Sequence, residues 1–178
     1  MFGVISEETP PYTVLSAFPD FEVRKYAAGT AIEASDTENK AFMSLAGYIG
    51  VVRAPENDQG RKVAMTAPVV SLPDTGRMQF ILPAALNDGA PTPSRPGAVA
   101  VVPRAAAVYA VETFSGSWNE ADARKRAGAL ADRARGAGYD IPEDLGAWEW
   151  RRFNPPWTLG WMKKNEVCVP VEGAPAHT

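Results

Sequence analysis

Residues Arg61–Pro83, RKVAMTAPVVSLPDTGRMQFILP, decide how the chain is read. Alternation of apolar and polar positions makes two extended segments. In the first, Val63, Met65, Ala67 and Val69 share one face, with Lys62, Ala64 and Thr66 on the other. In the second, Met78, Phe80 and Leu82 alternate with Gln79 and Ile81. Between them Pro73, Asp74 and Gly76 stand where a chain reversal needs a fixed φ, a local side-chain acceptor and a left-handed residue. The expectation is a hairpin that buries one face and offers the other to solvent or a ligand.

Upstream the same grammar continues. Tyr12–Leu15, Phe21–Tyr26 and Thr30–Ala34 read as strands, with a turn or bulge at Gly29. Ser35 followed by Glu38 reads as a capping box, and Phe42, Leu45, Ala46 and Ile49 recur at the helical period. Downstream, the Pro- and Gly-rich stretch 84–97 reads as an excursion, either a lid or plain surface. Strands at Val99–Val102 and Ala107–Phe114 follow, then Ser117 and Glu120 as a second capping box. A helix over about Trp118–Ala137 carries the stripe Ala123, Ala127, Leu130, Ala131, Ala134. Trp148–Phe153 and Glu166–Val171 close the chain as strands.

Element order thus repeats twice. It predicts an α+β fold: a pseudo-twofold-symmetric, distorted antiparallel β-barrel flanked by two main helices. A single domain is expected over 9–171, with flexible termini at 1–8 and 172–178.

Bulk composition narrows the function classes. A formal net charge of −3 over 178 residues gives no support to nucleic-acid binding. The lone Cys168 allows no intrachain disulfide. The first twelve residues make a poor secretory signal, and Ala98–Val111, broken by Pro103, is too short for a membrane span. The default location is cytoplasmic. No phosphate-binding loop or two-cysteine metal motif occurs, and no histidine general base or cysteine–histidine pair falls within the barrel. Glu22 and Glu33 on neighbouring strands are what any hairpin supplies. An enzyme is the less favoured reading.

Several stretches, taken in order, resemble the SOUL heme-binding protein family: Phe21–Tyr26, Arg61–Val69 with its Met-Thr-Ala-Pro, Met78–Pro83, Thr113–Gly116, and Asn154-Pro-Pro-Trp-Thr158 leading to Asn165–Pro170. They span about 9–171. The resemblance implies a barrel with two flanking helices and a soluble binding or carrier role for heme or a related tetrapyrrole. The ring would be held by apolar contact, without an obligatory iron ligand. Two alternatives stay open: a sensor or buffer for another flat apolar small molecule, and a tetrapyrrole-modifying enzyme.

On that reading Phe42, Tyr48, Val63, Met65 and Phe80 are candidates for the ring's platform. Arg53, Arg61 and Lys62 flank the same hairpin and suit its propionates, because guanidinium and ammonium groups pair with carboxylates. The only histidine, His177, sits at the tail, which departs from family members with a proposed histidine ligand. Cys168, Met43, Met65, Met78 or a tyrosine remain as iron ligands, Cys168 only if its thiolate is stabilised. Trp148, Trp150, Trp157 and Trp161 read as plugs of the barrel ends or as stacking surfaces for a flat ligand.

Overall fold

The structure is a computed structural model that describes residues 5–155 and 157–173. Among these, nine strands form a single sheet: β1 (Tyr12–Ala17), β2 (Glu22–Tyr26), β3 (Gly29–Ser35), β4 (Val69–Leu72), β5 (Arg77–Ile81), β6 (Ala100–Arg104), β7 (Ala107–Ser115), β8 (Glu149–Arg152) and β9 (Lys164–Pro170). Helix α1 spans Glu38–Ile49 and α2 spans Glu120–Gly136. The sheet runs β1-β2-β7-β9-β8-β4-β5-β3-β6, with every neighbouring pair antiparallel.

The twofold pattern lies in that order. Outward from the central β8–β4 seam, one half reads β4-β5-β3-β6 and the other β8-β9-β7-β2. Each half is a strand, a helix and a hairpin. Each borrows its outer strand from the other repeat: β2 joins β7, and β6 joins β3. The seam itself is three residue pairs, Val69–Arg152, Val70–Arg151 and Ser71–Trp150.

Curvature follows from one contact. Arg104 on β6 and Glu149 on β8 form an ion pair of 2.7 Å although three strands separate them. A flat sheet would hold them roughly 19 Å apart at about 4.8 Å per strand. The sheet is therefore curled into a half-barrel, with β1 and β6 as its open edges. Both helices cover the outer face. Leu45, Ala46 and Ile49 of α1 pack with Ile32, Met78 and Phe80. The expected Ala123–Ala134 stripe of α2 is buried against Val23, Ala110, Trp148, Trp150 and Val167. Alanines suit that interface because they let the helix lie close to the tryptophans.

Four local readings change. The β4–β5 turn forms where Pro73, Asp74 and Gly76 predict it, with Gly76 at φ 62°. However, β4 begins only at Val69. Pro68 has no N–H to give a ladder, and Val63 N–H instead donates to Ile49 O at the end of α1. The hairpin buries both faces: Gln79 and Ile81 turn into the curl and are buried like Met78 and Phe80. Neither capping box closes. Thr37 is the N-cap of α1 and makes no side-chain bond, whereas Asn119 caps α2 by accepting from Asp122 N–H. The 84–97 excursion is pinned, with Pro91 O accepting from the Tyr48 hydroxyl and Thr92 O from Asp58 N–H. No helix among the described residues is long and apolar enough to cross a membrane.

Candidate functional site

Strand alternation puts every second residue inside the curl, and many of those residues are charged. From β8 come Glu149 and Arg151, from β9 Glu166 and Cys168, from β2 Arg24 and Tyr26. Glu149 accepts from Arg151 Nε at 2.7 Å and from Arg104 Nη2 at 2.7 Å, and the same carboxylate lies 2.7 Å from Arg151 Nη2 as an ion pair. Glu166 Oε1 accepts from Arg24 Nη1 at 2.9 Å and lies 3.3 Å from Lys164 Nζ. The Arg151 guanidinium stacks 4.4 Å from the Tyr26 ring and 5.1 Å from that of Tyr109. Burial pushes the Glu149 carboxyl up, but Arg151 and Arg104 outweigh it and hold the group below its ordinary range. Burial also raises the Tyr26 phenol, so it stays protonated.

A strap crosses this inner face. Residues 5–11 lead from the β1 edge to the far side of the curl, where Glu8 bridges Thr66 and its carboxylate accepts from Ala84 N–H at 2.9 Å. Between strap and sheet lies a cavity of about 280 Å³. Glu7, Thr9 and Tyr12 line it from the strap side; Tyr26, Arg151, Phe153, Lys164 and Glu166 line it from below. Sequence reasoning missed this site. Its signal is the interleaving in β8 and β9, Trp148-Glu-Trp-Arg and Glu166-Val-Cys-Val, where charges alternate with residues that must be buried.

The α1 face holds the residues that the sequence singled out. Tyr48 on α1 is buried in one core with Val63 and Phe80, and Phe42 of α1 and Met65 pack half-buried against that core. Phe42 meets Phe80 edge-on, with ring centroids 5.4 Å apart. Arg53 is paired with Glu56 at 2.7 Å. Arg61 and Lys62 are exposed and form no ion pair among the described residues. Lys62 passes beside Gly50, the C-cap of α1. Exposed Met43, Val51 and Val52 add apolar surface at this helix and its end. The pocket beside Tyr48 has only about 10 Å³, so a large ring would dock on the surface here.

The SOUL heme-binding protein family matches residues 7–170. The chain belongs to that family. No curated protein matches this SOUL chain. Among solved structures it is similar to the EcmrR C-terminal domain, at 13% identity and TM-score 0.55, covering 92% of this chain and 99% of that one. It is also similar to a hydrolase encoded by lin2189 from Listeria innocua, at 13% identity and TM-score 0.55, covering 86% and 92%. At such identity these two share the fold.

For a SOUL protein the residues must suit a tetrapyrrole. Phe42, Met65, Met43 and Val51 offer apolar surface for the ring, and Arg61 and Lys62, without an ion pair among the described residues, offer cations for its carboxylates; the residues fit. Iron ligands are scarcer. Cys168 is fully buried, and burial pushes its thiol up to about 12, so it is neither accessible nor ionised. His177 lies outside the described residues. No group of three or more His, Cys, Asp or Glu side chains that could hold a metal ion occurs among the described residues. The tryptophans divide: Trp148 and Trp150 are core beneath α2, whereas Trp157 and Trp161 are 84% and 65% exposed and so plug no barrel end. Glu22 and Glu33 sit on strands at opposite ends of the sheet and are not paired.

Proposed function

We propose that this protein binds heme or a related tetrapyrrole on the α1 face, as a binding or carrier protein. Family membership across 7–170 carries the reading. The ring would lie on Phe42, Met65 and Met43 beside the α1 C-terminus, with propionates at Arg61 and Lys62. Tyr48, Val63 and Phe80 hold that surface from below, and Arg53 acts through its pair with Glu56 to fix the loop after α1. When bound, the heme iron would supply redox and ligand-binding chemistry; this chain's residues supply the platform and the counter-charge.

Titration with hemin beside metal-free protoporphyrin tests it. A shifted Soret band should saturate near one ring per chain, and both rings should bind comparably because no protein ligand to iron is invoked. The R61A/K62A variant should bind more weakly, with less loss on adding salt than wild type. Non-saturating aggregation, or binding untouched by R61A/K62A, would remove the α1 face from consideration.

A further inference from the structure

The β8–β9 connection carries the two most exposed large apolar side chains among the described residues, Trp157 at 84% and Trp161 at 65%, with Leu159 at 59% between them. None of the three packs against a core cluster. Hydrogen bonds nevertheless hold the loop in shape. Thr158 N–H donates to Pro155 O at 3.0 Å, Met162 N–H to Leu159 O at 2.8 Å and Lys163 N–H to Gly160 O at 3.1 Å. Its base is tied to the sheet, where Asn154 Oδ1 accepts from Lys164 N–H at 2.6 Å and Lys163 O from Gly116 N–H at 3.3 Å. Gly160 lies so close to the chain after β7 that a Cβ there would stand 3.0 Å from Ser117 Oγ. An internally bonded loop that keeps two indoles in water is preorganised for a partner that takes them up.

Area and charge select that partner. At these exposures the two indoles offer roughly 220–370 Å², to which Leu159 adds. That falls short of the ~800 Å² each partner gives to a stable protein interface. Insertion into a bilayer has no such minimum, since its strength scales with the apolar area buried. Tryptophan suits the boundary between hydrocarbon and headgroups, because its ring is apolar and its N–H donates. Residues 150–165 contain no acid. Arg152 is paired with Glu38 and Lys164 with Glu166, which leaves Lys163 without an ion pair among the described residues. One such cation suits a lipid phosphate and is too little to track a nucleic-acid backbone. With a net charge of −3 on the whole chain, the contact is the loop's own and not the product of long-range attraction.

We propose that the 157–163 loop docks this protein on the surface of a lipid bilayer, with Trp157, Leu159 and Trp161 inserted at the headgroup boundary and Lys163 at the lipid phosphates. The contact is peripheral, and it needs no tetrapyrrole.

Cosedimentation and tryptophan emission with extruded vesicles test it, using the full chain without hemin. One set of vesicles is equimolar phosphatidylcholine and phosphatidylserine, the other phosphatidylcholine alone. The wild type should pellet with the mixed vesicles. Its emission should shift to the blue and saturate, because Trp157 and Trp161 leave water while Trp148 and Trp150 are already buried. The double variant W157S/W161S should lower the vesicle partition coefficient at least about tenfold. It should keep the wild-type melting temperature, since neither ring is packed in a core. Lys163→Glu should weaken binding to the mixed vesicles about tenfold and to phosphatidylcholine far less. Wild type that stays in the supernatant with both vesicles, or undiminished binding by a folded W157S/W161S, overturns the proposal. So does a dimer in lipid-free sedimentation that the same double variant abolishes, because the loop would then belong to an interface between two copies. With no hemin present, failure here leaves the hemin titration untouched, and failure of that titration leaves this result untouched.

Discussion

Glu149→Leu tests what the inner face costs. Glu149 is 2% exposed, accepts one hydrogen bond of 2.7 Å from Arg151 within a close ion pair, and accepts another of 2.7 Å from Arg104. Leucine has similar bulk but no charge, so Arg151, 1% exposed, is left buried without its main partner. Breaking a buried pair from one side costs about 3–5 kcal/mol, a large share of the roughly 5–15 kcal/mol available to a domain. With a urea dependence of about 2–3 kcal/mol per M, the unfolding midpoint should fall by roughly 1–2.5 M. Replacing both partners, E149L/R151M, should recover part of the loss, since two apolar groups leave no orphaned charge. The coupling between the two sites should lie between about 0.5 and 3 kcal/mol.

The acid limb gives a second readout. Glu149 is held below its ordinary value of 4.5 in the folded state, so the unfolded chain binds the proton first as pH falls. Its stabilisation is present above pH 4.5 and drains away below it, down through the folded value. E149L should flatten that limb. An E149L midpoint within the equivalent of about 1 kcal/mol of wild type would show that Arg151 does not depend on this carboxylate, and the reasoning would fail.

Other outcomes follow from single features. Cys168, with its thiol pushed up to about 12 inside the sheet, should not react with a thiol reagent at pH 8 until denaturant is added; prompt labelling of the native chain would contradict its burial. Asn119→Ala removes the side-chain acceptor for Asp122 N–H and should cost about 1 kcal/mol in denaturant unfolding. Ser117→Ala, at the position the sequence favoured as cap, should cost less, and the reverse ranking would misplace the helix start. Gly50→Ala meets both φ 79° and a Pro55 carbon at 2.6 Å. Strain of about 1–2 kcal/mol from the backbone alone should lower the melting temperature by roughly 2–8 °C, and a variant melting with wild type would place Gly50 outside the left-handed region.

Much of the architecture was written locally. The Ala123–Ala134 stripe, the Pro73–Gly76 turn and the strand alternation each need only neighbours a few residues away, so the element order and its repetition could be read. Helix starts were less legible, since Ser117 and Asn119 are both good caps and only the backbone geometry chooses between them. The candidate site was legible in part. Phe42, Tyr48, Val63, Met65 and Phe80 do fall together, but periodicity says only that they are apolar, not that Tyr48 and Phe80 face inward while Met43 faces out. The charged inner face was hidden because its logic is long-range. Arg104 and Glu149 become partners only once the three strands between them have curled, and no spacing along the chain announces that.

The exchanged outer strands have a consequence for synthesis. Tyr26 finds its neighbour in Ala107, and Gly29 finds Arg104, so the amino-terminal half leaves the ribosome with β2 and β3 each missing a mate. Neither repeat is a unit that can close while the rest is still being made. Assembly therefore waits for nearly the whole polypeptide, and the nascent chain carries bare strand edges until then, the kind of surface that recruits unwanted pairing or a chaperone.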